Sequence, residues 1–244
     1  MNKFVFFRNA KPNWRKTMAN LLFIGHSAFE VDIAGKKILI DPFITGNPQA
    51  VVKPGNLHPD YIILTHGHSD HLGDAIDIAL RNKATIVAPF ELAVYCSNKG
   101  AKTHPMHIGG SHLFDFGVIR FTLALHGSTI VEGDKFIPAG NPVGVIIEAS
   151  GKRIYHAGDT GFFGDMKIIG KRFPLDVALL PIGGNFTMDI DDAIYATEML
   201  KPKIVIPMHY NTFPLIEADP EEFAERVQPP TRAVILNPGE EFEF

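Results

Sequence analysis

Short apolar runs, each closed by turn-forming residues, dominate the first third of the chain. Asn20–Ile24, Ala28–Ile33 and Lys37–Ile40 read as strands, with Gly35 marking a tight turn between the last two. Tyr61–Leu64 is continuously apolar, the pattern of a strand buried on both faces. Asp74–Arg81 shows helical spacing, Ala84–Ala88 returns to a strand, and Phe90–Asn98 reads as a helix stopped by Gly100. Two or three further strands run through Leu125. The second half repeats the style. Val143–Glu148 and Arg153–Tyr155 form a hairpin around Ser150-Gly151, and Leu175–Leu180 is a buried strand. Asp191–Leu200 is a helix ended before Pro202, and Lys203–Pro207 a strand. Asp219-Pro220-Glu221-Glu222 is a helix start with an acidic cap and proline in the first turn. Arg232–Leu236 closes the set. Two β-then-α halves with no linker between them predict one α/β domain over 18–244, sheet packed on sheet with helices outside. Residues 1–17, with five basic side chains around the short run Phe4–Phe7, read as an N-terminal extension.

Composition narrows the class. A chain of 244 residues can bury a sizeable core. Its 23 basic and 27 acidic residues leave a net charge of −4 with no basic block, so no nucleic-acid partner is expected. No apolar run approaches the roughly 20 residues of a membrane helix, and the N-terminal segment lacks the apolar stretch of a signal peptide, so no membrane partner is expected either. The lone Cys96 excludes an internal disulfide and a cysteine-rich metal site, and favours a cytoplasmic location.

The chemistry concentrates in Thr65-His66-Gly67-His68-Ser69-Asp70-His71, between the strand Tyr61–Leu64 and a helix. Three imidazoles and a carboxylate within six residues are a dense supply of metal ligands. Gly67 lets the loop turn them toward one point, where a regular strand would alternate them. Imidazole and carboxylate without thiolate suit Zn²⁺, with Mn or Fe the alternatives.

With this loop the chain resembles the metallo-β-lactamase superfamily, whose signature is H-x-H-x-D-H after a strand. Further motifs follow in the family's order: Asp41 in Leu-Ile-Asp-Pro, His126 in Leu-His-Gly-Ser, Asp159 in Ala-Gly-Asp-Thr and His209 in Pro-Met-His-Tyr. Gly25-His26-Ser27-Ala28-Phe29 and Gly183–Met188 are similar to a branch of metal-dependent hydrolases akin to ascorbate-6-phosphate lactonases and N-acyl-phosphatidylethanolamine phospholipases. The resemblance implies a four-layer αββα sandwich. It implies one divalent ion on His66, His68 and His126 and a second on Asp70, His71 and His209, bridged by Asp159, with Asp41 orienting a ligand histidine. A hydroxide between the ions would be the nucleophile, with Asp70 and Asp159 in the catalytic centre.

With those metal positions filled, His26 is expected to face substrate as a catalytic acid, and Asn185, Phe186, Thr187 and Met188 to line the cleft. His156 is a weaker candidate, and His58, His104, His107 and His112 read as surface. The expected activity is hydrolysis of an ester-like bond (ester, lactone, thioester or phosphodiester) in a small molecule. A phosphodiesterase or nuclease, or a catalytically silent metal-binding protein, is the alternative. Loops Phe43–Asn56, Gly133–Asn141 and Phe186–Asp191 are expected to set specificity, and an exposed apolar loop would fit a homo-oligomer.

Overall fold

The computed structural model describes residues 18–244; the extension 1–17 lies outside them. The strands, in chain order, are β1 (Asn20–Gly25), β2 (Ala28–Ile33), β3 (Lys36–Ile40), β4 (Tyr61–Ile63), β5 (Thr85–Pro89), β6 (Lys102–Met106), β7 (Ser111–Leu113), β8 (Val118–Leu123), β9 (Thr129–Glu132), β10 (Lys135–Pro138), β11 (Val143–Ala149), β12 (Lys152–His156), β13 (Val177–Pro181), β14 (Ile204–Met208), β15 (Arg232–Ala233) and β16 (Glu241–Glu243). They build two seven-stranded sheets, ordered β16-β1-β2-β3-β4-β5-β6 and β15-β14-β13-β12-β11-β8-β7, while β9 and β10 pair as a separate hairpin. The helices are α1 (Ser69–Leu72), α2 (Ala75–Asn82), α3 (Phe90–Asn98), α4 (Met166–Arg172), α5 (Ile190–Leu200) and α6 (Pro220–Arg226).

Strand alternation explains the layering. In the first sheet, Leu21, Phe23, Ile38, Ile40, Ile63 and Val87 belong to the core shared with the second sheet. Their neighbours Ile24, Leu39, Ile62, Leu64, Ile86 and Ala88 pack instead with Ile78, Ala79, Leu92 and Ala93 of α2 and α3. With period-two side chains, one strand thus feeds two cores. Met166 and Ile169 of α4, Ala193 and Leu200 of α5 and Phe223 of α6 join the core of the second sheet. The result is the four-layer αββα sandwich.

Several elements depart from the sequence expectation. α4 escapes notice because Gly170 interrupts a short helical run. A Cβ at Gly170 would lie 2.3 Å from the Leu200 carbonyl oxygen, so the glycine is the condition for α4 to pack against the end of α5. Gly133–Asn141, expected to be a loop, contains β10, which pairs with β9. The three residues of β16 pair with β1 at the C-terminus, and Arg232–Leu236 is a strand only at Arg232–Ala233.

The connectivity gathers the strand ends. β1, β3 and β4 run the same way in the first sheet, and β8, β12, β13 and β14 in the second. Their C-terminal ends meet across the sandwich. Hydrogen bonds from His209 N to His26 O at 2.8 Å and from Val143 N to Thr65 O at 3.1 Å join the two sheets there.

Candidate active site

Every histidine and aspartate singled out as a ligand follows one of these strand ends. His66–His71 leave β4, His126 leaves β8, Asp159 leaves β12 and His209 leaves β14, and Asp41, expected behind the ligands, leaves β3. Two groups form. The ligand atoms of His66, His68 and His126 lie within 4.8 Å of one another, and so do those of Asp70, His71, His209 and His26. In the first group, His66 Nε2 and His126 Nε2 approach His68 Nδ1 to 3.0 and 3.2 Å.

Hydrogen bonds behind the cluster set which nitrogen carries the proton. Thr65 donates its hydroxyl to Asp41 Oδ2 at 2.6 Å, so its oxygen accepts from His66 Nδ1 at 3.0 Å. That leaves a lone pair on His66 Nε2, toward the cluster. His71 Nδ1 likewise donates to Asp41 Oδ2 at 2.8 Å, which leaves Nε2 as the inward atom. Asp41 is fully buried and also accepts from Thr65 N at 2.8 Å. Its acceptor capacity is spent on orienting two histidines, which suits a group behind the ligands.

Asp159 stands between the groups. Its Oδ2 is 3.0 Å from His209 Nε2, 3.5 Å from His126 Nε2 and 4.0 Å from His66 Nε2, while Oδ1 is 3.1 Å from His71 Nε2. Close as they are, Asp159 Oδ1 and His71 Nε2 are buried atoms without a hydrogen bond, as is His209 Nδ1. Converging lone pairs and orphaned buried atoms around a carboxylate are costly for a protein alone. They fit divalent cations.

Charge in the metal-free chain fits the ligand role for three of the histidines and differs for His71. Burial holds His66, His68 and His126 below the ordinary imidazole value, neutral as ligands must be. Burial opposes a charge on His71 too, but Asp159 and Asp41 outweigh it and keep its pKa well above that range. Asp159 would be raised by burial, yet the charges of His209 and His71 hold it well below the carboxylate range.

His26 occupies a different position from the one expected. It is fully buried, with Nε2 3.2 Å from Asp70 Oδ2 and Nδ1 2.9 Å from Thr212 Oγ1. Burial pushes its pKa down to about 4 despite the bond to Asp70. A neutral imidazole with both nitrogens engaged and no exposed surface is poorly placed to protonate a leaving group. It is well placed to fix Asp70, with Nδ1 held against the Thr212 hydroxyl, which also reaches Gln49 Oε1 at 3.1 Å. His26→Ala should therefore weaken metal binding by about 10–100-fold, the usual range for a residue behind a ligand. Equilibrium dialysis checks this: unchanged metal affinity with lost turnover would return His26 to the substrate side.

The segment 183–188 lies beside the cluster. A Cβ on Gly183 would fall 2.3 Å from His209 O, and Met188 N donates to Thr160 O at 2.9 Å, next to Asp159. Phe186 and Asn185 are exposed and Thr187 half-buried, but Met188 is fully buried and packs in the core, away from any cleft surface. His156 is also buried: its Nε2 donates to Ser27 O at 2.9 Å, tying the sheets together. His58, His107 and His112 are exposed and His104 is half-buried. Sequence reasoning missed three participants. Thr65 had a signal, its place directly before the first histidine. Gln49, which accepts from His26 N at 3.0 Å, and Thr212 had none.

Comparison with known proteins adds to this geometry. Residues 36–210 match the model of the beta-lactamase superfamily domain. A UPF0173 metal-dependent hydrolase of Anoxybacillus flavithermus is 50% identical over 225 residues, spanning 92% of this chain and 99% of the relative. One from Geobacillus sp. is 53% identical over 221 residues, spanning 90% and 97%. Among solved structures, a metallo hydrolase from the archaeon Ignicoccus hospitalis is similar with a TM-score of 0.85 at 41% identity, covering 93% of this chain and 99% of that one.

Proposed function

Because the chain belongs to the metallo-β-lactamase superfamily and is a metal-dependent hydrolase, we propose that it cleaves an ester-like bond of a small molecule at a centre of two divalent ions, zinc foremost. His66, His68 and His126 would hold one ion, and Asp70, His71 and His209 the other. The observation that carries this reading is Asp159, whose two oxygens face histidines of both groups. When bound, such ions supply an acidified water nucleophile and Lewis-acid polarisation of the scissile oxygen.

The chain's own residues do the rest. Asp41 and Thr65 fix the ring orientation of His71 and His66, and His26 fixes Asp70. Left-handed backbone at Asp41, His26 and His209, with φ of 43°, 59° and 55°, turns these side chains sharply off their strands. Such conformations cost about 1–3 kcal/mol each and persist where surrounding structure imposes them, as at functional sites. Location is part of the proposal: no described helix is long and apolar enough to cross a membrane, and the buried Cys96 thiol fits the cytoplasm.

Elemental analysis of protein grown with added zinc should find close to two ions per chain. Chelation should abolish turnover and lower the thermal midpoint, because the ions bind the folded state alone. Fewer than one ion per chain, or turnover indifferent to chelator, would overturn the reading.

A further inference from the structure

The stretches that supply the cluster residues carry no fixed positive charge, although the β9–β10 hairpin, which packs on Gly67, carries the exposed Lys135. Residues 41–52, 64–80, 124–134, 157–166, 182–200 and 208–225 contain neither lysine nor arginine, although the chain has 23 such residues. Sites that take phosphate esters recruit guanidinium or ammonium donors, or a helix N-terminus, to hold the non-reacting oxygens. The α5 N-terminus does not serve: Asp189 caps it, and Asp191 and Asp192 fill its first turn. Asp41, Asp70 and Asp159 further offset most of the charge that two divalent ions would bring. A phosphodiester would meet little attraction here beyond the ions themselves.

Apolar side chains stand where those donors would be. Phe43 and Phe213 have ring centroids 6.2 Å apart and present edges to His26 at 5.7 and 5.6 Å. Phe213 keeps 37% of its surface exposed. Across the cluster, Leu125 directly precedes His126 and is 49% exposed, and Phe186 is 53% exposed. Thr160 ties the two segments together: Leu125 N donates to its hydroxyl at 2.9 Å, and Met188 N, two residues past Phe186, to its carbonyl at 2.9 Å. Large exposed hydrophobics beside a buried polar cluster describe a ligand cleft with apolar walls and a polar centre.

Resting on the two-ion hydrolase reading, we propose that the substrate is an uncharged carboxylic ester or lactone with an apolar acyl part, and that the rim of Phe43, Leu125, Phe186 and Phe213 holds that part. In the reaction the water oxygen bonds to the acyl carbon and the acyl carbon–oxygen bond breaks. One water proton ends on the departing alcohol, and the carboxylic acid releases the other to solvent.

The test assays the metal-loaded protein on p-nitrophenyl acetate, butanoate and hexanoate and on bis-p-nitrophenyl phosphate, with binding of hexanoate and of inorganic phosphate followed by calorimetry. We expect kcat/KM to rise at least about tenfold from acetate to hexanoate, since a buried methylene is worth up to about fourfold. Hexanoate should bind and phosphate should not. Phe213→Ala should shrink the chain-length gain through KM, and Phe186→Arg should raise turnover of the phosphodiester. Faster cleavage of the phosphodiester, or phosphate binding without hexanoate binding, overturns the substrate class while leaving the metal-dependent hydrolase intact. Chelator-insensitive or absent turnover on every compound overturns the hydrolase centre itself. A sedimentation shift in Phe213→Ala with the chain-length gain unchanged would assign the rim to a second copy of the chain, and overturns the proposal too.

Discussion

Asp159→Ala should lower turnover by about 10³-fold or more and reduce bound metal from two ions to at most one, with the fold retained. The scale is that of removing a central charge-stabilising group from a catalytic site. Asp159 is the side chain that faces both histidine groups, at 3.5 Å from His126 of the first and 3.0 Å from His209 of the second. Two unit charges 4 Å apart repel by about 4 kcal/mol at an effective dielectric of about 20, and two dications by about four times that. A shared carboxylate offsets part of this repulsion, so its removal weakens the binding of the second ion most. The metal-free fold should survive, because Asp159 lies in a loop and the strands around it are held by an apolar core. Asp159→Asn keeps the shape and removes the charge, so it separates packing from electrostatics. Elemental analysis and circular dichroism check the pair. Two ions and full turnover in Asp159→Ala would move the centre elsewhere.

The clustering of the candidate residues was legible because each of them lies just past a strand-like run, and the order of those runs places their ends together. The layers were legible for a similar reason. Ile38, Leu39 and Ile40 are all apolar, which no half-exposed strand permits, and the structure gives Leu39 to one core and its two neighbours to the other. What escaped depends on contacts between distant residues. The burial of His26 rests on Thr212, 186 residues away, and nothing near His26 announces it. Gly170 weakens a helical pattern and strengthens a helix–helix contact, so α4 was unreadable from local propensity. Backbone strain was equally hidden. Left-handed φ is read from glycine, whereas here histidine and aspartate adopt it because the two sheets hold them so.

Asp41→Ala should weaken binding of both ions by about 10–100-fold and destabilise the chain, although Asp41 is placed behind the ligands. Three donors converge on this buried carboxylate: Thr65 N at 2.8 Å, the Thr65 hydroxyl at 2.6 Å and His71 Nδ1 at 2.8 Å. Alanine leaves Thr65 N unpaired in the interior, at a cost of about 1–3 kcal/mol. It also frees the two proton assignments that prepare the histidines. His71 loses the acceptor that keeps its proton on Nδ1. The Thr65 hydroxyl, released from Asp41, turns to donate to His66 Nδ1, and the His66 proton then moves to Nε2, the atom that must stay bare to bind metal. On the two-ion proposal, one substitution thus disturbs a residue from each ligand group. Asp41→Asn tolerates the same left-handed φ of 43°, so it removes the backbone component. Its carboxamide can still accept from Thr65, but it offers only one acceptor oxygen and sets an NH₂ group against the remaining donors, so metal affinity should stay low. Calorimetric zinc titration of both variants, beside thermal melts in excess metal, separates ligand orientation from stability. Asp41→Asn that binds zinc with wild-type affinity would show that Asp41 supports the fold and leaves the histidines unaffected.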